Sequence, residues 1–155
     1  MARLEDTLKT DMVASMRARD ADRTGTLRMA LAAIRNEKVA GKQARTLTEA
    51  DETAVLQREV RSRRDSAQAY TDGGRPELAA KELAEVAILA EYLPAALTES
   101  ELDALVDAAV ASAAAETGEK PTMRAMGAII KAVNAEAAGR AEGATVAAKV
   151  RARLA

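Results

Sequence analysis

The segment Glu91-Tyr92-Leu93-Pro94, followed by Leu97-Thr98-Glu99-Ser100-Glu101-Leu102, constrains the fold more than any other stretch of this chain. Pro94 has no backbone N–H to donate and pushes Leu93 out of helical geometry, so a helix arriving at Tyr92 has to end there. Thr98 then offers an N-cap oxygen, with Glu101 at the reciprocal capping-box position, and a new helix starts at once. The joint predicts two helical modules, residues 1–93 and 94–155. Charge changes across it as well. Residues 93–119 hold six acids (Glu99, Glu101, Asp103, Asp107, Glu116, Glu119) and no Lys or Arg, whereas 120–155 hold seven basic residues against Glu136 and Glu142.

Apolar residues recur at helical spacing throughout, with no alternating β-branched run in competition, which predicts an all-α protein. About four helices fall in the N-terminal module and three in the C-terminal one. The first runs from Leu4 to Arg19 with Leu4, Leu8, Met12 and Met16 inward, and the charged link Asp20-Ala21-Asp22-Arg23 closes it. The second turns Leu27, Ala30, Leu31 and Ile34 inward and stops near Gly41. Thr48 caps a third, whose stripe reads Leu56, Val60, Ala67, Tyr70 and which ends at Gly73-Gly74. Pro76 opens a fourth, with Ala79, Leu83, Val86, Ala90 and Leu93 inward. Beyond the joint, Leu102, Leu105, Val106, Ala109 and Ala113 mark a fifth helix ending at Gly118. Thr122 caps a sixth, where Met123, Met126, Ile129, Ile130 and Val133 share a face. Gly139 and Gly143 bracket a tight turn, and Val146, Val150 and Leu154 define the last helix. Residues 94–98 and the loop Gln43 to Thr48 are the expected sites of first proteolytic cleavage.

Composition removes whole classes of chemistry. With no Cys there are no disulfides or thiolate sites, and with no His the usual proton-transfer and zinc-binding side chain is missing. A carboxylate pair or an activated lysine stays open as chemistry but leaves no recognisable signature, so no catalytic residue is singled out, and neither a metal site nor a cofactor is expected. The chain has two Tyr and no Phe or Trp, so its interior has to be built from Leu, Val, Ile, Met and Ala in close-packed helices. No apolar run approaches a membrane span, and the charged start Met1-Ala2-Arg3-Leu4-Glu5-Asp6 is not that of a signal peptide, so a cytoplasmic protein without membrane partners is expected.

The basic tail is the one patch with a functional reading. Arg124 and Lys131 project from the sixth helix, Arg140 sits in the Gly-bounded turn, and Lys149, Arg151 and Arg153 border the last apolar stripe. Such a cluster suits phosphates bound with salt-sensitive affinity. An equally physical alternative has these cations docking against the acidic fifth helix. The Arg-rich stretch Arg58 to Asp65 reads as surface ion pairs, with Glu59 and Asp65 four residues from Arg63 and Arg61. Arg28 and Arg35 read as a solvated helix flank, and Asp103 and Asp107 as an outward acidic pair.

Taken in order, Leu27-Arg28-Met29, Ala33-Ile34 and Asn36, then Glu91-Tyr92-Leu93-Pro94, Met126-Gly127 and Gly139-Arg140-Ala141-Glu142-Gly143, resemble the YqeY-like proteins of bacteria over essentially the whole chain. That family is similar, over its C-terminal helices, to the tail domain of the B subunit of the aspartyl/glutamyl-tRNA amidotransferase, a domain that contacts tRNA. The resemblance implies an accessory role toward tRNA, the amidotransferase or another translation component. It links the chain to carbon–nitrogen ligation with glutamine as amide donor without giving it an active site. It carries over Met126, Gly127, Gly139, Arg140 and Gly143, and with Pro94 from the joint, Gly127, Gly139 and Gly143 are the expected turn or hinge positions. A helical protein-interaction module with no RNA ligand is the competing reading.

Overall fold

The computed structural model describes residues 3–155; Met1 and Ala2, which begin the charged start, lie outside the described residues. Among the described residues there are seven α-helices and no strand. They are α1 Leu4–Arg17, α2 Ala21–Val39, α3 Glu49–Asp72, α4 Pro76–Ala90, α5 Glu99–Thr117, α6 Met126–Ala137 and α7 Gly143–Leu154, with a 3₁₀ turn, Met123–Ala125, leading into α6. Backbone contacts group them into two compact units, Met1–Leu93 and Pro94–Ala155, each with its own apolar core.

In the first unit α2 touches α1, α3 and α4. Leu8, Leu27, Ile34, Leu47, Leu56 and Leu89, one or more from every helix and one from the loop before α3, are at most 1% exposed. Glu52, fully buried on α3, accepts the backbone N–H of Glu5 (3.1 Å) and the Arg3 guanidinium (3.2 Å). A carboxylate from one helix thus satisfies an orphan donor in the first turn of another. Glu5 itself is held by Lys38 and Lys9, and the Lys38 hydrogen bond keeps its carboxyl below the usual range.

Helix faces depart from the simple stripes. Steps of four residues advance 400°, so a strict i+4 series drifts off the core face by about 40° per step. Met16 has drifted to 51% exposure, and Ser15 takes the inward place, its hydroxyl 2.7 Å from that of Thr24. Asp20 is the N-cap of α2, accepting the Arg23 N–H (3.0 Å), so the presumed link Asp20 to Arg23 is the start of a helix. On α3 the place between Val60 and Ala67 belongs to Arg63, 6% exposed, while Tyr70 lies at the surface. Arg63 pairs with Glu59 (2.7 Å) and with Glu85 of α4 (2.9 Å). Turning Glu85 toward α3 rotates α4, so Leu89 enters the core while Leu83, 51% exposed, and Ala90 face solvent.

The joint is a latch. Tyr92 and Leu93 pack on the first core. The Tyr92 hydroxyl donates to Asp11 (2.6 Å) and accepts from Arg23 (2.9 Å), which also pairs with Glu91 (2.8 Å). Burial, then the Asp11 bond, pushes the Tyr92 phenol up to about 12.

In the second unit α5, α6 and α7 each touch the other two. The core is Leu102, Val106, Ile129, Val133, Val146, Val150 and Leu154, and the unit holds no aromatic residue. Thr98 accepts the Glu101 N–H (3.1 Å) and Glu101 the Thr98 N–H (2.8 Å), completing the capping box of α5. The helix ends on Gly118 at φ +73°, a left-handed conformation that suits glycine. Thr122 makes no side-chain cap; the chain enters a 3₁₀ turn there, Met123 is 48% exposed and α6 begins at Met126.

Candidate functional site

The six basic residues expected to meet phosphates fall into two groups. Val146, Val150 and Leu154 turn α7 inward, which places Lys149 and Arg153, one turn apart, on its flank toward α5. There α5 presents Glu99, Asp103 and Asp107 at the same four-residue spacing. Lys149 pairs with Asp103 (2.7 Å) and Glu99 (3.3 Å), and Arg153 with Asp107 (2.8 Å) and Asp103 (3.3 Å). The Lys149 hydrogen bond holds the Asp103 carboxyl below the usual carboxylate range, and that same bond raises Lys149 above the ordinary lysine value. Arg140 is occupied too. Its Nε donates to the Ala95 carbonyl (2.7 Å), while its own carbonyl accepts the Leu97 N–H (2.9 Å), so the turn before α7 is sewn to the segment before α5.

Arg124, Lys131 and Arg151 form the other group. All three are exposed, and none has an ion pair or side-chain hydrogen bond among the described residues. Arg124 on the 3₁₀ turn and Lys131 on α6 are seven residues apart, two turns along one side, opposite the buried Ile129 and Val133. Between them Gly127 and Ala128 leave that side flat. Arg151 stands on the flank of α7 away from the Lys149–Arg153 ladder. Lys120, counted among the seven basic residues but not among the six expected contacts, is exposed just before the 3₁₀ turn.

The expected turn positions differ in character. Left-handed backbone occurs at Ala138 (φ 47°) and Gly139 (φ 80°), whereas Gly127 lies within α6 and Gly143 is the first residue of α7. A Cβ at Gly127 or Gly143 would meet nothing within 4 Å, so neither is required by a close approach. Pro94 is exposed just before the Arg140 stitch. Two adjoining shallow grooves of about 650 and 660 Å³ share Lys120 and Pro121, the first floored by Val110, Ala111, Ala114 and Ala115. Among the described residues no group of three or more acidic residues is arranged to hold a metal ion, and no helix is long and apolar enough to cross a membrane.

A family model described as Yqey-like protein matches residues 5–154. The chain belongs to the YqeY-like family. No curated protein matches it. The match takes in both units, so the α1–α4 assembly is as much a part of the YqeY-like chain as the basic second unit. Several residues that carry the resemblance have structural work here: Leu27 and Ile34 are core, Tyr92 closes the latch, and Arg140 fixes the turn. In this YqeY-like protein, then, the surface cations open to a ligand lie mostly outside those motifs.

Proposed function

We propose that this YqeY-like protein is an accessory RNA-binding protein whose second unit holds the phosphates of a structured RNA, most simply tRNA, through Arg124, Lys131 and Arg151. The observation that carries this reading is the division of the basic residues. Lys149, Arg153 and Arg140 are held internally, while Arg124 on the 3₁₀ turn and Lys131 on α6 share one open side with no ion-paired acid among the described residues. Solvated, unpaired cations are those that release counterions from a phosphate backbone. With no aromatic residue in the unit, base stacking is not available, and recognition rests on backbone and shape. The resemblance of the second unit to the amidotransferase tail supports tRNA as the ligand. It also supports a link to glutamine-dependent amide transfer whose catalysis lies in other polypeptides.

The test is tRNA binding by the full chain across a salt series. Neutralising Arg124, Lys131 and Arg151 to Gln is expected to lower the slope of log affinity against log salt by about one unit per residue. Lys149→Gln is expected to leave the slope in place and weaken the α5–α7 contact instead. An unchanged slope in the triple variant, or no tRNA binding by the parent at low salt, would remove this reading. The groove over Val110, Ala114 and Pro121 would then favour the second one, a module that binds a partner protein through its helical faces.

A further inference from the structure

The core of the first unit takes Leu27, Ala30, Leu31 and Ile34 from α2, which leaves Arg28, Ala32, Arg35 and Val39 on the side away from it. All four are exposed, Val39 by 64%, and Met29 beside them is 57% exposed. The side chains of Arg28 and Arg35 have no ion pair or hydrogen bond among the described residues. Lys42, exposed in the loop just past the helix, repeats the seven-residue step. Between Arg23 and Lys42 the only acid is Glu37, and it is turned away, holding Arg58 of α3 (2.5 Å) and Arg45 of the loop before it (3.3 Å).

The same molecule shows how such a pattern is completed. On α7, cations at a four-residue step meet acids at a four-residue step on α5 across an apolar seam. The outward side of α2 is the basic half of a comparable ladder, with Ala32 and Val39 as its seam. We propose that this side of α2 docks an acidic amphipathic helix of a partner protein. Its Glu or Asp residues, seven apart, would meet Arg28 and Arg35, and its apolar side chains would cover Ala32, Val39 and Met29. Exposed Met29 and Val39 would be desolvated to no gain against a phosphate backbone, and small Ala32 allows the close approach of two helix axes, so a helix fits this surface better than a nucleic acid. The proposal is independent of RNA binding by the second unit.

The probe is a labelled synthetic helical peptide with Glu at seven-residue intervals and Leu and Ala between, titrated into the full-length protein by fluorescence anisotropy and by backbone amide shifts. The amides of α2 are expected to move. The double variant Arg28→Glu with Arg35→Glu should bind the peptide at least tenfold more weakly, whereas a peptide with Lys in place of Glu should bind the variant in preference to the parent. Neutralising Arg124 and Lys131 should leave peptide affinity unchanged, which separates this test from the RNA reading. Both arginines are exposed and unpaired, so the variant should keep its helicity; the pair Arg28→Gln with Arg35→Gln serves if it does not, with a smaller loss expected. Unmoved α2 amides, equal affinity for the variants, movement of those amides by tRNA instead, or self-association through them would each overturn the proposal.

Discussion

Tyr92 joins three segments with one oxygen, as donor to Asp11 and acceptor from Arg23. Replacing it by Phe removes both bonds, leaving Asp11 to water and Arg23 to its Glu91 pair, an expected loss of about 1–2 kcal/mol after allowance for partial exposure. A chemical denaturation curve of the first unit would check this. The phenol also sets a pH dependence. Its folded value is raised to about 12 from the ordinary value of 10.0, so its contribution is complete below pH 10 and is lost as pH rises toward 12. Tyr92→Phe should flatten that part of the alkaline stability profile. Ala138 carries the opposite sign of expectation. At φ 47° it occupies a conformation that costs a side-chain-bearing residue about 1–2 kcal/mol, so Ala138→Gly should stabilise the second unit by about 0.5 kcal/mol where Ala→Gly ordinarily destabilises a helix. Neither Ala138 nor the burial of Arg63 was legible in the sequence. The first is set by the turn between two packed helices, and the second depends on Glu85, which lies 22 positions away.

At the scale of elements, local chemistry was readable and helix rotation was not. Thr98 with Glu101 and the Thr48 cap are encoded within four residues, and both capping boxes form. Thr98→Ala should cost the second unit about 1 kcal/mol and speed hydrogen exchange at the Glu101 amide more than at mid-α5. A rise that is equal along α5 would mean the cap has no local role. Which face turns inward is decided by neighbours instead: Ser15 displaces Met16 because Thr24 meets its hydroxyl, and Leu83 is turned outward because Glu85 meets Arg63. For the same reason sequence alone offered two readings of the basic tail. The step of four shared by Lys149, Arg153, Asp103 and Asp107 was visible, but which helix flank it occupied depended on the α5–α7 packing.

For the whole molecule, the family and the all-helical class were legible from ordered short motifs and uniform periodicity, and the match over residues 5–154 agrees with the former. The division of cations into occupied and open was not, since it requires three helices in place at once. Connecting segments likewise differ in ways their composition hides. Ala95 and Leu97 are hydrogen-bonded to Arg140, and Leu47 is 1% exposed, whereas Lys42 is exposed in the loop. Limited trypsin digestion should therefore cut first after Lys42, and a broad-specificity protease should reach residues 95–97 later; early cleavage there would mean that the Arg140 stitch opens readily in solution. The aromatic-free core of the second unit has an optical consequence. Tyr70 and Tyr92, the chain's two aromatic residues, both belong to the first unit, so near-ultraviolet dichroism and intrinsic fluorescence observe that unit alone. Helices α5 to α7 can melt, or take up a ligand at Arg124 and Lys131, without either signal registering it, and a tryptophan placed in the second unit would be needed to give it a voice of its own.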